Sequence, residues 1–150
     1  MADVIPTTGT TLIIKRTFDA PRVKVFEAWT KPELLKQWFA PDEAFVVPIA
    51  TLDLRLGGVY RIGMKPQDRE ALHIATGVYR EIKPPEKLVF TWSWEGEEPM
   101  DTLVTVEFRD LGKVTEVMLK HEYFPDAQTR DKHSEGWTGC LELLGKMLHV

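Results

Sequence analysis

The sequence contains a single cysteine, Cys140, among its 150 residues. An internal disulfide is therefore excluded, and a structural zinc site, which needs clustered cysteine and histidine ligands, is not indicated. One free cysteine is typical of proteins from a reducing compartment. We expect a cytoplasmic protein that holds neither a metal nor a cofactor.

Long hydrophobic runs are absent as well. The longest apolar stretch, 44–50, is interrupted by Pro48 and is far shorter than the roughly 20 residues that cross a bilayer. Residues 1–10 lack the cationic start and apolar core of a secretory signal. We predict no membrane segment, a single domain over residues 1–150, and a flexible N-terminal tail over residues 1–10.

An excess of positive charge is also lacking, since 19 Lys and Arg stand against 23 Asp and Glu for a formal charge of −4. The cations are scattered along the chain, whereas nucleic-acid binding concentrates them on one surface. Nucleic acid is therefore excluded as a partner. No residue pattern requires an oligomer, which leaves a monomer or a homodimer open.

The motifs of common catalytic sites are missing. No Gly-x-Ser-x-Gly elbow, His-Glu-x-x-His pair or phosphate-binding glycine loop occurs. His121 and Glu122 are neighbours on a predicted strand and so point to opposite faces, and His133 and Glu135 are split in the same way by helical geometry. We assign no catalytic residue.

The most informative stretch that is present lies at the C-terminal end, 126–150, which has the period of one long helix. Glycines beside its apolar stripe are costly in a helix, by about 1 kcal/mol each relative to Ala, and therefore indicate close backbone contact or room left free. These glycines are Gly136, Gly139 and Gly145, and the stripe consists of His133, Trp137, Cys140, Leu141, Leu144 and Leu148.

The rest of the chain predicts one strand, two short helices and six further strands. Pro21 is suited to the start of the first helix, and Thr30 with Glu33 fits a capping box at the start of the second. Strand periodicity places His121 on an inward, apolar side. The strands are predicted at 11–18, 45–51, 59–64, 73–82, 87–94, 102–110 and 114–123, which gives an α+β class with helices covering one face of an antiparallel sheet.

Four stretches, in this order and spacing, resemble the AHSA-type family. These are proteins similar to the C-terminal domain of the activator of the ninety-kilodalton heat-shock protein's ATPase, within the START-like, Bet v 1-like SRPBCC superfamily. The stretches are Ala28-Trp29-Thr30-Lys31-Pro32-Glu33-Leu34, Gly57-Gly58-x-Tyr60-Arg61, Gly77-x-Tyr79 followed by Pro84-Pro85-Glu86, and Gly136-Trp137 followed by Leu141 and Leu144.

The resemblance implies a helix-grip fold, in which a curved, seven-stranded antiparallel sheet wraps around the long C-terminal helix. Two short helices follow the first strand, and a cavity, often apolar, lies between helix and sheet. Family members include partner-binding chaperone modules and proteins that bind small hydrophobic compounds.

Aromatic residues and a few polar groups are expected to line this cavity, as small-molecule pockets are mostly apolar with few polar groups. We hypothesise that it binds a small hydrophobic, possibly aromatic molecule. One alternative is a protein-interaction module for a chaperone or stress-response partner, and another is a low-activity cyclase- or hydrolase-like enzyme. The cavity candidates are Trp38, Phe39, Met64, Tyr79, Trp92, Trp94, His121, His133, Trp137 and Leu141.

Overall fold

The computed structural model describes residues 2–5 and 10–148. Three helices and eight strands follow one another along this part of the chain. In order they are β1 (Ala2–Ile5), β2 (Leu12–Phe18), α1 (Arg22–Thr30), α2 (Pro32–Trp38), β3 (Phe45–Leu52), β4 (Val59–Pro66), β5 (His73–Lys83), β6 (Lys87–Trp94), β7 (Thr102–Asp110), β8 (Thr115–Glu122) and α3 (Ala127–Leu148).

The strands form one antiparallel sheet in the order β1-β2-β8-β7-β6-β5-β4-β3. The seven predicted strands are all present, and the long helix and the two short helices confirm the predicted helix-grip architecture. Register shifts on β3 and β5 bend their strands, between Val46 and Ile49 and between Tyr79 and Glu81. The sheet curls into a half-barrel whose concave face receives α3.

The N-terminal segment differs from the predicted flexible tail at residues 2–5. There β1 pairs antiparallel with β2, from Ala2 opposite Arg16 to Ile5 opposite Ile13. Four residues followed by Pro6 carry too little periodicity to predict a strand, and the pairing is provided by the otherwise open edge of β2. Residues 1 and 6–9 of the predicted tail lie outside the described part.

The capping box predicted at Thr30 and Glu33 is wrong. Thr30 is the last residue of α1, and its hydroxyl donates to the carbonyl oxygen of Phe26 at 3.1 Å. Because Pro32 occupies the first turn of α2, the N-cap falls on Lys31, which makes no side-chain capping bond. The two helices still pack closely, with the rings of Trp29 and Trp38 edge to face at 4.8 Å.

Helix α3 is anchored through its second half. Its buried residues all lie from Trp137 onward. A Cβ at Gly139 would collide with the backbone carbonyl of Pro41, and one at Gly145 would press on the guanidinium of Arg16. At Gly136, by contrast, a Cβ would meet no atom within 4 Å. Both meanings predicted for these glycines, close contact and free room, therefore occur in one helix.

Candidate functional site

A cavity of about 840 Å³ lies between α3 and the concave face of the sheet. Its walls come from α3, from β3 to β6, from the end of α2 and from the loop between β6 and β7. None of these elements alone forms a pocket, so the cavity depends on the curl of the sheet. The lining residues are Phe39, Pro41, Phe45, Met64, His73, Trp92, Trp94, Glu97, Glu98, Met100, Pro125, Thr129, Lys132, His133, Gly136, Trp137 and Cys140.

The cavity changes in polarity from its inner end to its rim. The buried lining residues are Phe39, Met64, Trp92, Trp137 and Cys140, all of them apolar or weakly polar. The exposed lining residues are His73, Glu97, Glu98, Pro125 and Lys132, four of which are polar or charged. The arrangement suits a molecule that is apolar at one end and hydrated at the other.

Six of the ten predicted cavity residues line this space. They come from three elements and the end of α2, and are Phe39, Met64, Trp92, Trp94, His133 and Trp137. The strand and α3 members of this set lie on the faces that the strand period and the α3 stripe predict to point inward, whereas Phe39 follows α2 and has no such signal.

The other four predicted residues are buried but do not line the cavity. Trp38 is held in the core by a hydrogen bond from its Nε1 to the carbonyl oxygen of Ala28, 2.9 Å long. Tyr79 lines a separate space of about 20 Å³ beneath α1 and α2. His121 lies behind Trp137, and Leu141 packs into the core. Periodicity gives the face on which a side chain lies but not its depth along the groove.

Trp137 forms the inner wall of the cavity and is fixed on several sides. Its ring stacks on Trp29 at 6.0 Å and lies 5.0 Å from Trp92, measured between ring centroids. Its Nε1 donates to Nδ1 of His121 at 3.0 Å. Trp137 therefore lines the groove without filling it.

His121 has both ring nitrogens in use. Because an indole N–H can only donate, Nδ1 must be the unprotonated nitrogen, and the proton on Nε2 is directed to the hydroxyl of Thr102 at 2.9 Å. Burial, with a contribution from nearby His133, holds the pKa of His121 well below its usual range. His121 is accordingly a neutral structural group.

His133 repeats this arrangement at the cavity wall, with the two nitrogens exchanged. Nε1 of Trp94 donates to Nε2 of His133 at 2.9 Å, so the proton lies on Nδ1 and is donated to the carbonyl oxygen of Thr129, also at 2.9 Å. Burial lowers the pKa of His133, although the Thr129 carbonyl and the charge of Glu97 act in the opposite direction. Two tryptophan donors thus occupy the two histidine acceptors.

The sequence did not single out the rim of the cavity. Glu97 and Glu98 belong to the loop between β6 and β7 and lie at the mouth of the cavity. Close contact or free room was predicted for Gly136, Gly139 and Gly145 together, and nothing in the sequence showed that the room lies at Gly136 or that it belongs to the cavity. Loop residues such as Pro125 and Met100 carry no periodic signal and could be located only in three dimensions.

Within residues 2–5 and 10–148, no three His, Cys, Asp or Glu side chains are grouped closely enough to hold a metal ion. The Cys140 thiol faces the same cavity, and burial raises its pKa to about 12. In that described part, no helix combines the length and the apolar character needed to cross a membrane.

Comparison with known proteins gives a consistent family and fold. A family model described as Activator of Hsp90 ATPase homolog 1-like protein matches residues 19–149. Among curated proteins no match was found.

Many solved structures share the architecture. A protein of Chromobacterium violaceum is 26% identical, with a TM-score of 0.85 over 94% of this chain and 98% of that one. An uncharacterized protein of Rhizobium leguminosarum is also 26% identical, with a TM-score of 0.78 over 99% and 98%. An AHSA1-like protein of Aeromonas hydrophila, 21% identical with a TM-score of 0.76 over 89% and 90%, supports the fold alone.

Proposed function

The chain belongs to the family of activator of Hsp90 ATPase homolog 1-like proteins, and we propose that it uses this fold to bind a small hydrophobic molecule, aromatic in preference, between α3 and the sheet. The observation that carries the proposal is the volume of about 840 Å³ that remains beside Trp92, Trp94 and Trp137. Ligand pockets in proteins have about 300–1,000 Å³. Because packed interiors leave few voids larger than a water molecule, a space of this size has to be explained by something other than core packing.

The aromatic lining supports an aromatic ligand. Indole and phenyl rings attract a further ring in offset or edge-to-face geometry, which contributes about 0.5–1.5 kcal/mol per pair beyond the burial of area. Phe39, Trp92 and Trp137 already contact one another at centroid separations of 5.0–6.0 Å, with Phe39 edge to face on Trp137 and the other two pairs tilted. A planar ligand would extend this cluster.

A protein-interaction module for a chaperone or stress-response partner is the second candidate. Its support is a group of exposed apolar side chains around the turn between β3 and β4, where Leu54, Leu56 and Val59 are 42%, 70% and 52% exposed. A protein-interaction module does not require an open interior. This candidate therefore accounts for the exposed apolar side chains at the turn but not for the cavity. It also predicts that no apolar compound stabilises the chain, which the ligand experiment below tests directly.

A cyclase- or hydrolase-like enzyme is the third candidate and has the least support. General acid–base chemistry needs a side chain within hydrogen-bond reach of the ligand and free to exchange a proton. His121 does not reach the cavity, and both nitrogens of His133 are already bonded. If a turnover is found, its persistence in His133→Ala would remove that residue from the mechanism.

The test is thermal unfolding in the presence of a panel of small apolar and aromatic compounds. A compound at a hundredfold excess over its Kd adds about 2.7 kcal/mol to the free energy of unfolding, which raises Tm by roughly 5–10 °C for a chain of this size. We expect several aromatic compounds to produce such a shift.

Gly136 provides a matched pair of variants for this test. A Cβ there meets open space, so Gly136→Phe should place a ring in the cavity and abolish the shift, while Gly136→Ala should retain it. A panel that leaves Tm unchanged for the unmodified chain, or a Gly136→Phe protein that responds as strongly, would overturn the proposal.

A further inference from the structure

The ring nitrogens of Trp94, His133 and Trp137, which could otherwise reach a ligand inside the cavity, already have hydrogen-bond partners. Nε2 of His133 is the acceptor best placed on the wall, and the indole N–H of Trp94 occupies it at 2.9 Å. The other nitrogen of His133 donates to the backbone at Thr129. At the inner end, the N–H of Trp137 is directed away to His121.

The remaining inner atoms provide little to replace them. Nε1 of Trp92 has no hydrogen-bond partner, but it is fully buried and presents no surface to the cavity. The Cys140 thiol, whose pKa is raised to about 12, stays neutral and is a weak donor. The thioether of Met64 is a weak acceptor. Among the described residues, the inner end of the cavity therefore behaves as a hydrocarbon wall.

The rim has the opposite character. Glu97 and Glu98 from the loop after β6 and Lys132 from α3 are exposed there, beside His73 at the start of β5. A polar group of a ligand keeps its hydration or finds a charged partner at this end. At the inner end the same group would lose its water without replacement.

We propose that the ligand is amphipathic, an inference that rests on the proposed function. Its body is a fused ring or another hydrocarbon without hydrogen-bonding groups, and its one polar group stays at the rim. The Trp94–His133 pair is then a specificity-determining feature, because the indole N–H masks Nε2 of His133, an acceptor on the wall that could otherwise receive a buried hydroxyl. The cavity thus discriminates against a ligand with a polar group at its inner end, because that group finds no hydrogen-bond partner there.

Two compounds of nearly equal size test the class. In 6-methyl-2-naphthol the polar group is at one end only, whereas 2,6-dihydroxynaphthalene carries a hydroxyl in place of the methyl. Burying a hydroxyl without a partner weakens binding by roughly 5- to 150-fold. Titration calorimetry should therefore give a Kd for the diol that is higher by a factor in that range.

Variants test the role of the pair. Trp94→Phe leaves Nε2 of His133 open to the cavity, so the inner hydroxyl gains an acceptor and the ratio of the two Kd values should fall by roughly fivefold or more. The double variant Trp94→Phe with His133→Leu removes that acceptor again and should restore the original ratio. If a variant fails to fold, the two Kd values measured on the unmodified chain still test the amphipathic ligand class.

The outcomes separate this inference from the proposed function. If both compounds bind the unmodified chain with equal affinity, ligand binding holds and the amphipathic class is wrong. If Trp94→Phe folds and leaves the ratio unchanged, the masking role of Trp94 is wrong. If neither these compounds nor any of the apolar panel binds, both the function and the inference are overturned.

Discussion

The indole N–H of Trp137 donates to Nδ1 of His121 over 3.0 Å, and this one bond fixes the orientation of the groups behind it. The opposite nitrogen of His121 donates to Thr102, so the Thr102 hydroxyl directs its own proton to the backbone oxygen of Trp92 at 2.6 Å. The chain of hydrogen bonds links α3 to β8, β7 and β6, and each member has only one arrangement that satisfies all the others.

The first prediction is that stability falls as pH is lowered from about 6.5. His121 and His133 have pKa values lowered in the folded chain, so between those values and the unfolded value near 6.5 the unfolded chain binds more protons. The contribution of the two neutral histidines to the free energy of unfolding is complete above pH 6.5. Below that pH the free energy of unfolding falls by up to about 1.4 kcal/mol per pH unit for each histidine. Urea unfolding at pH 5.0 to 7.5 measures it.

The variant His121→Gln is the control for this pH dependence. A glutamine can accept from Trp137 and donate to Thr102 but does not titrate, so its stability should change less steeply with pH across the same range. Carboxylates with lowered pKa values, such as those of Glu95 and Asp126, change the stability only at more acidic pH. Equal slopes for the variant and the unmodified chain would contradict a neutral, buried His121.

The second prediction concerns two glycines three residues apart on α3. Gly136→Ala should raise the free energy of unfolding by about 1 kcal/mol, because alanine is the better helix former and its Cβ meets open space. Gly139→Ala should lower it, because the new Cβ collides with the carbonyl oxygen of Pro41 and the backbone has to move. Chemical denaturation of both proteins, with the unmodified chain as reference, should show changes of opposite sign.

The third prediction is that Cys140 is unreactive while the chain is folded. With the thiol pKa raised to about 12 by burial, the thiolate fraction at pH 8 is about a thousandfold smaller than for a free cysteine of pKa near 8.5. Labelling by a thiol reagent should be correspondingly slow in buffer and complete in denaturant. Fast labelling of the folded chain at pH 8 would show that the thiol is neither buried nor protonated as described.

Most of the fold could be predicted because its elements are marked locally. The alternation along β6 from Leu88 to Trp94 and the stripe from Trp137 to Leu148 each require one face to be covered. The predictions that failed concern features that depend on another segment of the chain. The pairing of residues 2–5 depends on the free edge of β2, and the capping bond at Thr30 was displaced by Pro32, which set the helix start one residue later.

The candidate site was harder to predict for a related reason. A strand period reports that His121 points inward, yet whether it touches the cavity depends on Trp137, which belongs to another element and stands in front of it. The donor and acceptor roles of His133 likewise follow from Trp94, 39 positions earlier in the chain. Contacts between distant residues of this kind leave no pattern in a single sequence.

The free room at Gly136 has a consequence for how such proteins can diverge. The close contact with Pro41 falls on Gly139, so the framework constrains that position and leaves Gly136 unconstrained. A single codon change at Gly136 can alter the size of the cavity while the helix keeps its place on the sheet. Selection can therefore act on ligand preference and on the architecture almost independently, at adjacent turns of one helix.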